Sequence, residues 1–259
     1  NGDTIFLTPE LSAKIQQVIG SDIAMALDEC IALPNTTENI DAAVERSLKW
    51  LARFLAVPRK AGQKVFGINQ GGTSLSLRMK SLEGTLKFPI DGLAIGGLSV
   101  GESHDEMVAV LDVLAQHLPG NFPHYLMGVG TPRDILEGVY RGIDMFDCVL
   151  PTRNARNGGF FTPKGLLNIR NSIHTMDENP IDTDCHCECC RHYSRAYLRH
   201  LFLTKEILGS RLATTHNLYY YHRFLREIRE AIDAGRFTSF YEKQRVSLTN
   251  AYPVRMSEP

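Results

Sequence analysis

No stretch of this 259-residue sequence approaches the run of about eighteen uncharged apolar residues that a membrane-crossing helix requires. Asn1 to Glu10 also lacks the basic stretch followed by an apolar one that marks a secretory leader. The two absences together predict a cytoplasmic protein with no membrane partner. Net charge is nearly absent as well: 28 Lys and Arg stand against 29 Asp and Glu, so no global field draws the chain to nucleic acid. Any such attraction has to be local. The segment Pro151 to Asn171 supplies a place for it, holding Arg153, Arg156, Lys164 and Arg170 and no acidic residue. Evenly spread cysteines are missing too, which excludes a disulfide framework. Four of the six crowd into Cys185-His186-Cys187-Glu188-Cys189-Cys190, and in a reducing compartment such crowding points to a metal.

With 43% hydrophobic and 22% charged residues, the chain can bury a full core as one large domain or a domain with an inserted module. Short apolar runs at Asp22–Leu27, Lys64–Asn69, Asp91–Ile95, His124–Val129 and Ile143–Leu150 alternate with segments of helical period, the βα repeat of a parallel sheet. Thr8 with Pro9, and Thr131 with Pro132, are helix starts, and Glu102–His117 is amphipathic. Each run ends in polar or glycine-rich residues: Asp28-Glu29-Cys30, Gln70-Gly71-Gly72, Gly96-Gly97-Leu98, Met127-Gly128-Val129-Gly130 and Asp147-Cys148. In a (β/α)₈ barrel all such endings face one mouth, where the active site lies. A hairpin-like stretch follows at Gly158–Ile169, then the cysteine cluster, then helical segments near Tyr193–Leu208 and Asn217–Ala234, with no signal from Ser239 onward.

Cys185, Cys187 and Cys190 place three thiols in one tight loop. His216, read as lying just after a long amphipathic helix, is available as a fourth ligand. Three thiolates and an imidazole close the tetrahedron of a structural zinc, leaving no open position for a hydrolytic water. Cys189, His186 and His192 compete for the same ion on spacing alone.

The apolar segment Gly142–Leu150 carries two carboxylates, which are costly there without partners. Asp147, at the end, is the candidate for chemistry, and Asp144, near the start, for a structural bond. Cys148 is a rival nucleophile. Asp28 is the natural second carboxylate, and Gln70 with the backbone at Gly97 and Leu98 offers the donors and acceptors that reading a purine-like edge requires. Arg153 and Arg156 follow directly and suit phosphates.

These residues resemble the tRNA-guanine transglycosylase family. The runs Phe66-Gly67-Ile68-Asn69-Gln70-Gly71, Gly96-Gly97-Leu98-Ser99-Val100-Gly101-Glu102, His124-Tyr125-Leu126-Met127-Gly128-Val129-Gly130 and Asp144-Met145-Phe146-Asp147-Cys148-Val149-Leu150-Pro151-Thr152-Arg153 fall in family order, followed by Cys185, Cys187, Cys190 and His216. The resemblance implies an α/β fold, a (β/α)₈ TIM barrel whose N-terminal strands are absent from this sequence, with an inserted zinc-binding subdomain. It divides the chain into a partial barrel at 1–176, a zinc subdomain at 177–216 and C-terminal helices completing the barrel at 217–259. Asp147 matches the nucleophile that attacks the ribose of a wobble guanine in tRNA, so that a 7-deazaguanine (7-aminomethyl-7-deazaguanine or queuine) replaces it, in queuosine biosynthesis. Asp28, Gln70, Gly97, Leu98 and Met127 match base-recognition positions. Gly128, Val129, Gly130, Thr131, Pro132, Arg133 and Asp134, with Thr152, Arg153, Asn154, Ala155 and Arg156, match tRNA-contacting segments. One structural Zn²⁺ on Cys185, Cys187, Cys190 and His216 is implied, as is a homodimer through the region of Tyr197 and His200. Val100 inclines the match toward bacterial-type members. The family pattern also contains early strands and a further aspartate that this sequence lacks, so the alternative reading is a catalytically incomplete fragment or a noncatalytic tRNA-binding or scaffolding subunit.

Overall fold

A computed structural model describes residues 2–252. Its first half runs α1 (Pro9–Ile19), β1 (Ile23–Met25), α2 (Thr37–Leu55), β2 (Lys64–Asn69), α3 (Leu75–Thr85), β3 (Gly92–Ile95), α4 (His104–Ala115), β4 (His124–Leu126), α5 (Pro132–Tyr140) and β5 (Met145–Phe146). The second half runs α6 (Leu150–Arg156), β6 (Gly159–Thr162), β7 (Gly165–Asn168), α7 (Glu188–His192), α8 (Arg195–Leu203), α9 (Ile207–Asp233) and α10 (Phe237–Ala251). The chain divides into two compact units. One runs to Val129 and includes Gly138–Asp147, and the other combines Gly130–Glu137 with the chain from Cys148 onward.

The first unit is the βα repeat read from the sequence. Its five strands are all parallel and lie side by side in chain order, β1-β2-β3-β4-β5, so every strand ends on the same edge. Strands β2 and β3 are buried along almost their whole length. Leu93, Ile95 and Leu126 of the sheet pack with Leu82 of α3, with Val110, Leu111 and Leu114 of α4, and with Leu98. The helix starts follow the local sequence: Thr8 accepts from the Leu11 N–H at 3.2 Å ahead of Pro9, and Ser103 with Glu106 forms a reciprocal capping box on α4.

In the second unit β6 and β7 form the antiparallel hairpin expected between Gly158 and Ile169. Phe160, Ile169, Ile181, Leu198, Phe202 and Leu212 make a core that includes all four clustered cysteines. Three sequence expectations shift. The run Ile143–Leu150 is strand only at Met145–Phe146, and Leu150 opens α6. His216 lies within α9, a single helix of 27 residues, rather than after a helix. The stretch from Ser239, which carried no signal, belongs to α10 as far as Ala251, and residues 253–259 lie outside the described residues.

Candidate functional site

The shared strand edge of the first unit gathers most of the singled-out side chains. Gln70 follows β2 directly and is buried, and its amide Nε2 donates to Asp28 Oδ2 at 2.6 Å. Its backbone N–H is held by Ser81 Oγ of α3 at 3.0 Å. The amide then lies across Gly96 and Gly97: a Cβ on Gly97 would collide with Gln70 Oε1, and one on Gly96 would sit 2.7 Å from Nε2. Gly97 also has φ of +64°, so both the backbone path and the close approach require glycine. Leu98 is 3% exposed and its side chain belongs to the core. Met127, half-buried, continues β4 through an N–H bond to the Ile95 carbonyl at 3.0 Å. The Glu102 carboxylate accepts from the N–H groups of Ser99 and Val100, fixing the loop after β3.

Burial pushes the Asp28 carboxyl above its ordinary value, and the Gln70 amide opposes that without cancelling it. A carboxyl whose folded-state pKa is raised binds its proton more tightly when folded. Its contribution to stability is present at low pH and is lost as pH rises through the folded value. Asp28→Asn is therefore expected to raise the Tm at pH 7, with the gain shrinking toward about pH 4. Melting curves of both proteins across that range check it, and a lower Tm for the variant at neutral pH would overturn the reading.

Asp147 follows β5 and is exposed. Two donors converge on its Oδ1: the Tyr125 hydroxyl at 2.6 Å and the Gly128 N–H at 2.7 Å. Oδ2 has no hydrogen bond among the described residues. Burial, together with the hydrogen bond to Asp147 and its negative charge, pushes the Tyr125 phenol well above its ordinary value, so it stays a donor. Asp144 instead caps the start of β4, accepting from the His124 N–H at 2.8 Å. Cys148 falls in the second unit, where its sulfur accepts from the Leu150 N–H at 3.3 Å and lies against Gly130.

Sequence reasoning missed Tyr125 and Arg78. Tyr125 is the middle residue of β4, two before Met127, and alternation puts the two on one face. Arg78 is in helical phase with Leu82 and Thr85, both buried, and is itself 0% exposed. Its guanidinium bonds to the backbone and side-chain oxygens of Asn69, the last residue of β2, and to backbone oxygens in the loops after β2 and β3. Burial lowers its pKa to about 10, which leaves it a cation at neutral pH.

In the second unit Cys185, Cys187, Cys190 and His216 are all buried, with their four ligand atoms within 4.8 Å of one another. His216 Nδ1 lies 3.8, 3.6 and 3.3 Å from the sulfurs of Cys185, Cys187 and Cys190. His216 Nε2 is 2.9 Å from the Phe161 carbonyl, so Nε2–H donates and the Nδ1 lone pair faces the sulfurs. Neighbouring Asn217 fixes this turn of α9 to the hairpin through bonds of 2.9 Å to Pro151 O, Gly159 O and the Phe161 N–H. Hydrogen bonds from Cys185 and Cys190 pull the Cys187 thiol far below its ordinary value. Cys189 lies outside the set, its thiol raised by burial, and His186 and His192 are exposed. The four residues could hold one metal ion, with no position left open.

Arg153 and Arg156, three apart on α6, are both exposed, while Ala155 between them is buried and Thr152 and Asn154 bond back to their own helix turn. Thr131 and Asp134 cap α5 reciprocally: Thr131 N–H and Oγ1–H donate to Asp134 Oδ2 at 3.2 and 2.6 Å, and Asp134 N–H returns a bond to Thr131 Oγ1 at 3.2 Å. The Gly130 carbonyl accepts from the Tyr221 hydroxyl at 2.8 Å, Pro132 is buried and Arg133 half-buried, while Gly128, exposed, and Val129, buried, belong to the first unit.

The fold and its sites define an α/β protein with a carboxylate- and amide-bearing cradle at the ends of parallel strands and a closed Cys₃His centre elsewhere in the chain. The chain belongs to the queuine tRNA-ribosyltransferase family, whose model matches residues 1–249. It is 52% identical over 249 residues to a queuine tRNA-ribosyltransferase of Acidithiobacillus ferrooxidans, covering 95% of this chain and 67% of the relative. Similar relatives of the same name occur in Azotobacter vinelandii, 49% identical over 242 residues, covering 93% of this chain and 65% of the relative, and in Clostridium acetobutylicum, 48% over 249 residues, covering 93% and 66%. The chain thus spans about two thirds of the length of these relatives. Ribosyltransferases are glycosyltransferases, and membership places the chain among them. No helix among the described residues is long and apolar enough to cross a membrane.

Proposed function

We propose that this chain carries the exchange site of a tRNA-guanine transglycosylase, replacing a wobble guanine in tRNA with a 7-deazaguanine through a covalent ester on Asp147. The observation that carries the reading is the pair of donors on Asp147 Oδ1, which orients the carboxylate and leaves Oδ2 to attack. Oδ2 bonds to the ribose C1′ while the bond from C1′ to the guanine nitrogen breaks, its electron pair leaving with the base. The incoming base then bonds to C1′ through its ring nitrogen from the opposite face as the aspartate oxygen leaves with its electron pair, the proton that nitrogen gives up matching the one the expelled guanine takes on, and two inversions give net retention. Asp28, Gln70 and the Gly97 backbone read the base edge, with Leu98 and Met127 beside it. Gly128 to Asp134 and Thr152 to Arg156 contact the RNA. The fold of the whole protein is a (β/α)₈ barrel with the Cys₃His region inserted, acting in the cytoplasm as a homodimer through the face of Tyr197, which is 43% exposed.

Zinc fits the cluster. A tetrahedral zinc with bonds of about 2.3 Å to sulfur and about 2.0 Å to nitrogen separates a sulfur from the nitrogen by about 3.5 Å. The distances of 3.3–3.8 Å from His216 Nδ1 bracket that value. The ion would tie α7 to α9 and take no part in the reaction.

Labelled guanine incubated with this chain and a tRNA anticodon stem-loop tests the function. The label should enter the stem-loop at the wobble position and not one in which that guanine is replaced. No incorporation into either would overturn exchange by this chain. Arg153→Ala with Arg156→Ala should weaken stem-loop binding about tenfold or more at low salt and reduce the slope of log affinity against log salt by about 1 to 2. An unchanged slope would remove these residues from the RNA interface.

A further inference from the structure

Among the described residues the guanidinium of Arg78 is the one buried cation in the base cradle, and every hydrogen bond it makes falls on the last residue of β2 or in the loops after β2 and β3. Nε donates to Gly72 O at 2.8 Å, Nη1 to Asn69 O at 3.0 Å, Asn69 Oδ1 at 3.1 Å and Gly96 O at 2.8 Å, and Nη2 to Gly97 O at 3.1 Å. No carboxylate hydrogen-bonds or ion-pairs with it among the described residues. A fully buried charge hydrogen-bonded only to carbonyl oxygens, with the Glu102 carboxylate acting on it without direct contact, is an expensive way to brace two loops, since an apolar side chain fills such space without desolvating an ion. Peptide geometry shows what the charge accomplishes. In a trans peptide the C=O and N–H point in opposite directions. The bond to Gly96 O therefore turns the Gly97 N–H away from Arg78, and the bond to Gly97 O turns the Leu98 N–H away likewise. The Gly97 backbone does reach Cys30, in the loop after β1, where it partly offsets the rise that burial imposes on that thiol. A cation on a carbonyl oxygen also polarises the whole peptide and strengthens the donor at its other end.

We infer that Arg78 is a positioning residue for base recognition, aligning and polarising the Gly96–Gly97 and Gly97–Leu98 peptides so that their N–H groups receive the carbonyl oxygen of the purine. The inference rests on the base-exchange reading above. As the glycosidic bond breaks, its electron pair moves into the departing base and charge gathers on that oxygen. The polarised N–H groups stabilise it without transferring a proton.

The test compares guanine with 6-thioguanine, which keeps the ring N–H and amino group but replaces the carbonyl oxygen with sulfur, a weak acceptor. Binding of each is measured for the wild-type chain, Arg78→Lys and Arg78→Met. The ratio of the two dissociation constants does not depend on how much of a variant is folded. The wild type should prefer guanine by about tenfold or more, Arg78→Met by no more than about twofold, and Arg78→Lys by an intermediate factor. Amide NMR of the unaltered wild type gives a second reading independent of variant folding: the Gly97 and Leu98 N–H signals should move downfield with guanine and clearly less with 6-thioguanine. A wild-type ratio retained in Arg78→Met, or equal shifts with both bases, would overturn the inference while leaving the base site standing. If the wild type binds neither base, the base-exchange reading falls and this inference with it.

Discussion

Asp147→Asn is expected to lower base exchange by about a thousandfold or more and to eliminate any covalent RNA adduct, with stem-loop binding within about threefold of wild type. The substitution keeps the size of the side chain and an acceptor for the Tyr125 hydroxyl and the Gly128 N–H, so the loop after β5 has no reason to move. What it removes is the anionic oxygen. A carboxamide cannot form the ester, and the remaining pathway is direct displacement at C1′ with a barrier higher by about 4 kcal/mol for each thousandfold. Single-turnover exchange and binding by anisotropy measure the two quantities separately. Near-normal exchange in the variant would assign the nucleophile elsewhere, and loss of binding in parallel with exchange would make Asp147 a binding residue.

Removing the metal is the second large effect. Cys185, Cys187, Cys189 and Cys190 are part of the core that also holds Phe160, Leu198, Phe202 and Leu212, and His216 joins α9 to the hairpin through the Phe161 carbonyl. Structural zinc sites in small domains are worth about 10 kcal/mol or more. Even half of that, in a protein of this size, corresponds to a fall in Tm of about 10 °C or more. Strong chelation, or Cys190→Ala, should produce that fall, and the purified protein should carry one zinc per chain by elemental analysis. Asp147→Asn should leave both quantities unchanged. A Tm indifferent to chelator, or a chain with no bound metal, would contradict a metal-dependent fold for this region.

Periodicity made the sheet legible. Continuous burial of β2 and β3 writes itself as unbroken apolar runs, and the polar endings of those runs mark the edge where Asp28, Gln70, Gly97 and Asp147 gather. The same signal extended β5 too far, because the apolar residues Val149 and Leu150 belong to the start of α6, where Pro151 sits comfortably in the first turn. His216 was misplaced relative to its helix for a related reason. The segment read as helical begins only at Asn217, a poor helix former, yet Asn217 is kept within α9 by three hydrogen bonds to Pro151, Gly159 and Phe161 that no local propensity encodes. Spacing alone could not rank His216 above Cys189, His186 and His192 either. The ranking depends on a helix register that brings Nδ1 to the three sulfurs. Arg78 was hidden because a charged residue on a helix reads as a solvated face, and only its phase with Leu82 and Thr85 says otherwise. The donors on Asp147 likewise come from Tyr125 and Gly128, about twenty residues upstream, and meet it only once β4 and β5 pair.

The most direct measurement is the intact mass and peptide map of this chain after it is mixed with a tRNA anticodon stem-loop and quenched before the incoming base is added. The proposed chemistry gives one RNA fragment esterified to the peptide containing Asp147, lost from a parallel sample in which 7-aminomethyl-7-deazaguanine is supplied before the quench, with that base recovered in the RNA. An adduct on Cys148, or RNA that binds and forms no adduct under conditions where the label exchanges, would contradict it.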